Sequence, residues 1–275
     1  MQAMSNKLSG FSVPEIIVVV TVLGLLTGVV LQSLSGFYGE NISSLGKTSQ
    51  DTQTRGVLRQ MERDLSNSNG FMTDLTALAR PLGRNDQTTW SYQGNIPSQP
   101  YFDGAQKTNR ILIAASTATD KAATDSTRLP VFINSGSGCD PALSPIAQNA
   151  LVYFVAKNQT TGKYDLYRRT LTNITRGTLC GSINQKQSCS ATAVSAYPTC
   201  QGVDANLLRD IDNFTIDYYT SPNDAQPIAN QYSGTAATKT AIQAAKAIKI
   251  TVTSNNFING KNVQNIASIR ISLSY

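Results

Sequence analysis

Glu15 is a carboxylate at the entrance to a long apolar run. Ile16 to Leu31 carry no charge, and an ionised group near the start of a membrane helix is costly unless it reaches the interface or meets a cation. A cut after Gly10, the small residue before the aromatic Phe11, would supply that cation. The new α-amino group of Phe11, or the same group on a neighbouring copy in a helix bundle, could pair with Glu15. The plainer alternative is an interfacial Glu facing lipid headgroups, which needs no cut. Pro14 bears on the choice, because a proline inside a helix clashes with the carbonyl four residues back, here that of Gly10. In a chain starting at Phe11 that carbonyl is gone. Pro14 then lies among the first helical positions, whose N–H groups have no intrahelical partner anyway.

Cys139, Cys180, Cys189 and Cys200 are the other residues with chemistry of their own. Their number is even and they follow the apolar run, so in an exported chain they read as up to two disulfides with three open connectivities. The spacings of 41, 9 and 11 contain no C-x-x-C, and the chain has no histidine, which argues against zinc. The role expected of them is to staple CGSINQKQSCSATAVSAYPTC, which has little apolar material to hold itself in place.

Catalysis finds little support. Without histidine the Ser-His-Asp, Cys-His and common zinc hydrolase sites are excluded, and neither G-x-x-x-x-G-K-[ST] nor G-x-S-x-G occurs. No cofactor is implied. Asp103, Asp120, Asp125, Asp212, Asp217 and Asp224 are dispersed and no D-x-[DN]-x-[DN]-G loop occurs, so no metal is expected and these acids read as solvated loops. Trp90, Tyr92, Tyr101 and Phe102 sit in a Gln/Ser/Pro-rich stretch and read as pins for a long loop. The net charge is +6, or +5 without Lys7, with the basic residues scattered; nothing in the sequence supports a nucleic-acid partner.

The elements that would position these residues follow from hydrophobic period. Lys7 to Leu34 has the look of a secretory signal, yet no clear A-x-A pattern follows the apolar run. As one helix, Phe11 to Leu34 is about 36 Å long at roughly 1.5 Å per residue, enough to cross a hydrocarbon core of about 30 Å. Helical spacing continues at Leu34, Tyr38, Ile42 and Leu45, weakened by Gly36, Gly39 and Gly46. It returns in VLRQMERDL with Leu58, Met61 and Leu65 on one face, and Asn67 to Gly70 reads as the stop. A short helix is expected at Thr73 to Ala79. Strands are expected at Arg110 to Ala115, at Leu129 to Ile133, in a hairpin of ALVYFVAK and KYDLYRRTL, at FTIDYY, at AIKITVT and at SIRISLSY. The alternation of Ile248, Ile250 and Val252 with Lys249, Thr251 and Thr253 says one face buried and one wet. With 275 residues, 40% hydrophobic, the chain can bury one sizeable core, and the helix around Leu58 to Leu65 is the available cover for the sheet.

The leader ending Lys7-Leu8-Ser9-Gly10, then Phe11, Glu15 and a long apolar helix, resembles the class III signal sequence of type IV pilins and type II secretion pseudopilins. The order VLRQMERDL, LVYFV, YDLYRRTL, LLRDIDNFTIDYY and a late pair of strands is similar to the J-type minor pseudopilins and the W-type minor pilins. The resemblance implies cleavage by a prepilin peptidase between Gly10 and Phe11, N-methylation of Phe11, and Glu15 as the carboxylate that guides assembly. It also implies partners: other pilin or pseudopilin subunits through the N-terminal helix, an inner-membrane assembly platform, and membrane lipid before assembly. The implied location is the cytoplasmic membrane with the head outside, then a fibre, near whose tip such subunits sit.

The expectation is therefore an α+β protein that is not an enzyme. Residues 1–10 form a leader, 11–34 a transmembrane and assembly helix, 35–68 its amphipathic continuation, and 69–275 a globular head with an antiparallel sheet and long loops. A membrane-tethered binding protein or adhesin that does not polymerise is the alternative.

Overall fold

The structure, a computed structural model, describes residues 12–74, 111–122, 124–134, 136, 138–157, 161–172, 179–190, 194, 200–258 and 261–273. Its first element is one continuous helix, α1 (Val13–Ser66), unbroken by Gly36, Gly39 and Gly46. The helix stops where the sequence predicts. Ser68 turns back on Leu65 O through its N–H at 2.9 Å and its hydroxyl at 2.7 Å, and Gly70 takes φ 146°, a value open to glycine.

The chain divides into two compact units, Met1–Ser49 with Phe257–Val263, and Gln50–Asn256 with Gln264–Tyr275. In the first, the large apolar side chains of α1 from Val13 to Leu45 are exposed, among them the stripe at Leu34, Tyr38, Ile42 and Leu45. This helix is long and apolar enough to cross a membrane, and none of its most apolar stretch is buried.

The second unit is α+β. Strands β1 (Gly70–Met72), β2 (Leu112–Thr117), β3 (Gln148–Lys157) and β4 (Tyr164–Leu171) pair antiparallel in chain order. A two-residue parallel pair, β5 (Ser188–Cys189) and β6 (Gly202–Val203), precedes β7 (Ala205–Ile211), which completes the five-stranded sheet beside β4. After β8 (Asn213–Tyr219) comes a short helix, α2 (Ala236–Gln243), then β9 (Ala247–Ile258) and β10 (Lys261–Ser272). These last strands form a three-stranded sheet in the order β10-β9-β8, with β8 and β9 antiparallel from Asn213↔Thr253 to Tyr219↔Ala247.

The change of sheet between β7 and β8 has a local cause. Asp210 adopts φ 56°, which Asp tolerates better than most side chains, and its N–H donates to Asp165 Oδ1 at 3.1 Å. Asp212 N–H then bonds to Thr253 O at 2.8 Å, while its carboxylate accepts from Asn255 N. The bend therefore delivers the chain from the edge of one sheet to the edge of the next.

Both sheets, α2 and the last turns of α1 share one core. Val57, Leu58, Met61 and Leu65 of α1 meet Leu112, Tyr153 and Leu166 of the first sheet and Phe214, Ile216, Ile250 and Val252 of the second. The alternation read from the sequence holds: Ile248, Ile250 and Val252 are buried and Lys249, Thr251 and Thr253 are half-buried. The opposite face of the first sheet carries a smaller cluster of Ile113, Val152, Phe154 and Leu171, so its central strands are buried on both sides.

Two sequence expectations need correction or restriction. Leu129 to Ile133 is not a strand; Pro130, Phe132 and Ile133 form isolated bridges to Thr119, Ile146 and Leu179. Pro130 has no N–H for a ladder, and the three bridges go to three different segments. Of the helix expected at Thr73 to Ala79, Thr73 is a bend and Asp74 an isolated bridge, and the rest lies outside the described residues, as do Trp90, Tyr92, Tyr101, Phe102 and Asp103. Several elements were not expected from the sequence: the short strands β1, β5 and β6, the edge strand β7, and the helix α2. The start of α2 was readable as T-x-x-T, since Thr235 caps the helix by accepting Thr238 N–H at 3.3 Å.

Candidate functional site

The N-terminal end of α1 is where the expected chemistry concentrates. Gly10 and Phe11 lie outside the described residues. Ser12 precedes the first helical residue, and Ile16 N–H bonds to its carbonyl at 3.2 Å, so Ser12 is the N-cap, Pro14 the second helical position and Glu15 the third. Glu15 reaches back over the turn: its Oε2 accepts from both Ser12 N and Ser12 Oγ, each at 3.0 Å. This is the carboxylate half of a capping box. Pro14, at the second position, withholds an N–H that the helix would not have used.

This arrangement adds a role for Glu15 that sequence reasoning overlooked, although S-x-x-E before an apolar run is its signature. The carboxylate is solvated from within its own chain by two donors at the helix end where negative charge is favoured. Both of these bonds go to Oε2, and among the described residues Oε1 accepts none, so one oxygen closes the cap. Cleavage between Gly10 and Phe11 would leave Ser12 N–H an amide, and the cap would survive it.

The cysteines pair as Cys139–Cys180 and Cys189–Cys200, one of the three connectivities open from sequence. They staple different structures. Cys139 is exposed and Cys180 half-buried, and the bond ties the tip of an external loop to the segment that bridges to Ile133. Cys189 and Cys200 are buried and close the β5–β6 pair, with Asp204 N–H on Cys189 O at 2.8 Å.

Asp204 also anchors the β5–β6 pair to β4. Its carboxylate takes the guanidinium of Arg169 through Nε, at 2.9 and 3.0 Å, and through Nη2. Both side chains are almost wholly buried. Ser188 Oγ donates to the same carboxylate at 3.0 Å and accepts Thr170 N–H at 2.9 Å, while Arg169 lies 5.4 Å above the Phe154 ring. Across the sheet, Tyr153 donates its hydroxyl to Asp64 of α1 at 2.5 Å, and Arg168 Nε meets the same carboxylate at 2.8 Å. Burial, and then the Asp64 charge, push the Tyr153 phenol far above its usual range.

Neither polar cluster has the makings of a reaction centre. Each carboxylate is consumed by an arginine and by hydroxyl donors, and both lock elements together. Among the described residues no group of three or more Cys, Asp or Glu is placed to hold a metal ion. An open depression over Gln226 to Thr238 has most of its polar side chains engaged within the fold. Gln231 bonds Tyr218 N and Asp217, Tyr232 bonds Ile216 O, and Ser233, Thr235 and Thr238 bond one another. No family model, curated protein or solved structure matches the chain.

Proposed function

We propose that the protein is a minor pilin or pseudopilin, a structural subunit that enters a type IV pilus-like filament, near its tip or as a primer of its assembly. One observation carries the reading: a single helix, α1, exposes an apolar surface from Val13 to Leu45 and buries Val57, Leu58, Met61 and Leu65 in the core of an α+β head. Such a helix has a lipid phase in the cytoplasmic membrane and, after extraction, needs other helices to cover the same surface. The residues before it supply the processing junction, Gly10 and Phe11, for a prepilin peptidase that also methylates Phe11. The disulfides suit a head outside the cytoplasm.

In this mechanism Glu15 does two things at once. Oε2 stays on Ser12 and keeps the first turn of α1 closed. Oε1 takes the α-ammonium of Phe11 on a neighbouring subunit, a charge-assisted bond that strengthens as the helices leave the headgroups for a drier bundle. The subunit enters the bundle only in the register that neutralises the carboxylate.

Intact mass and N-terminal sequencing of protein from host membranes test the processing step, with N-methyl-Phe11 the expected first residue. A chain beginning at Met1, or cut after the apolar run, would instead leave a tethered or secreted binding protein as the better account. Glu15→Ala is expected to leave the head folded by circular dichroism and to reduce recovery of the subunit in sheared filaments about tenfold or more, as loss of a buried ion pair worth over about 1.4 kcal/mol requires. Recovery equal to wild type would remove the assembly role.

A further inference from the structure

The two disulfides differ in what a thiol can reach. Cys189 is fully buried and Cys200 nearly so. Around them Asp204 N–H holds Cys189 O, and the buried Arg169–Asp204 pair ties the end of β6 to β4. Cys139 is exposed, in a loop whose other members, including Leu143 at 67% exposure, are mostly exposed too. Thiol–disulfide exchange needs in-line access of a thiolate to one sulfur, so access decides which bond exchanges.

What the exposed bond holds is also local. The segments on either side of the loop keep their own hydrogen bonds: Ile133 N to Pro145 O at 2.8 Å, Ala147 N to Val131 O at 2.8 Å and Cys180 N to Phe132 O at 2.8 Å. Gln185 further ties the Cys180 segment down, donating to Thr119 Oγ1 and accepting Thr119 N–H. Opening the bond therefore unties Cys139 from the Cys180 segment and leaves both sheets, the second disulfide and the loop's own turn, with Ser144 N on Asp140 O at 2.8 Å and Ser144 Oγ on Gly138 O at 3.2 Å, in place.

We propose that Cys139–Cys180 is a site of reversible exchange with low-molecular-mass thiols, and that Cys189–Cys200 is not. A thiolate attacks Cys139 Sγ, forming a mixed disulfide there. The Cys139–Cys180 bond breaks and Cys180 leaves as a thiolate, which takes a proton from solvent. A second equivalent of the same thiol attacks the mixed disulfide, releasing the oxidised small-molecule disulfide and a Cys139 thiolate; alternatively Cys180 returns and restores the original bond. The loop tip thus has a tethered and a released state set by the thiol poise outside the membrane.

The test uses the full-length protein in detergent with reduced glutathione as the probe. After timed exposure, remaining thiols are alkylated and mapped by peptide mass spectrometry while circular dichroism follows the fold. The expected result is a glutathione adduct at Cys139 and alkylation at Cys180 accumulating at least about tenfold faster than any label at Cys189 or Cys200, the ratio that access control implies, with an unchanged spectrum. Simultaneous labelling of all four cysteines, labelling of Cys189 or Cys200 first, no labelling under conditions that modify an exposed reference disulfide, or loss of the spectrum as Cys180 becomes labelled would each overturn it. A Cys139→Ser, Cys180→Ser variant provides the second arm: it is expected to keep the wild-type spectrum and take up no glutathione, and uptake at the remaining pair would also sink the proposal.

Discussion

Tyr153 is a phenol at 0% exposure whose only useful posture is neutral. Its proton sits in the bond to Asp64 Oδ2, and removing it would place two negative oxygens 2.5 Å apart, with Arg168 the nearby cation. Burial and the Asp64 charge therefore raise the folded-state pKa above the ordinary 10.0. The sign follows from linkage: a raised value stabilises the fold fully below the unfolded pKa, and that contribution is lost as pH climbs past 10.0. Tyr167 and Tyr219 are shifted in the same direction, first by burial and then by the charges of Asp165 and Asp217, but among the described residues neither donates its hydroxyl to a carboxylate as Tyr153 does. Denaturant midpoints measured on both sides of pH 10.0 should show a steep alkaline loss in the wild type and a flatter one in Tyr153→Phe. At neutral pH the substitution should cost about 1.5 kcal/mol, the worth of a hydrogen bond to a charged group. An equal alkaline slope in both proteins would contradict this account. At this scale the sequence was partly readable. Glu15 announced itself by standing before an apolar run, and the cap it makes with Ser12 had a recognisable pattern. Nothing announced Tyr153, because its partners lie 89 residues upstream and on a neighbouring strand.

Elements in this molecule are fastened by buried charge where apolar surface is scarce. The segment holding β5, β6 and the inner disulfide has few large apolar side chains, and Arg169–Asp204 fixes it to β4 instead. Such a pair is weak evidence for net stability, since desolvation offsets much of the attraction. Breaking it is another matter. Asp204→Ala leaves a guanidinium buried beside Phe154 and should cost about 3–5 kcal/mol, read as a shift in chemical denaturation. Arg169→Met combined with Asp204→Leu should recover most of that loss, because no uncompensated charge remains. If the single variant lost less than the double, the loop would be held chiefly by its disulfide. The long strands were legible because β8, β9 and β10 alternate over several residues and one face stays dry. Leu129 to Ile133 has the same composition but no continuous partner, and composition does not report partners. Likewise α2 contributes only Ile242 and the following Ala245 to the core, too few apolar positions to set a helical period.

For the whole molecule the question is which residues make an independent fold. The compact unit begins at Gln50, well inside α1, because core contact begins there: Gln50 Nε2 bonds Ser254 Oγ at 2.6 Å, Thr54 is buried, and Val57, Leu58, Met61 and Leu65 follow in helical register. Helix α1 thus belongs to two environments, and its residues sort by what covers them. The apolar positions to Leu45 are exposed and, in the assembly reading, are covered by lipid and then by other helices; Val57, Leu58, Met61 and Leu65 are already covered by the sheets. A chain starting at Gln50 should be monodisperse without detergent and melt cooperatively with both disulfides formed. A chain starting at Asn67 removes four core side chains worth about 1.5–3 kcal/mol each, a sum on the scale of the roughly 5–15 kcal/mol that holds a domain together, and should fail to melt cooperatively. Light scattering and calorimetry on the two truncations separate the possibilities. If the shorter chain folded as well as the longer one, the second half of α1 would be a passenger on the head. If neither folded without detergent, the exposed half of the helix would be part of what the head needs to stand.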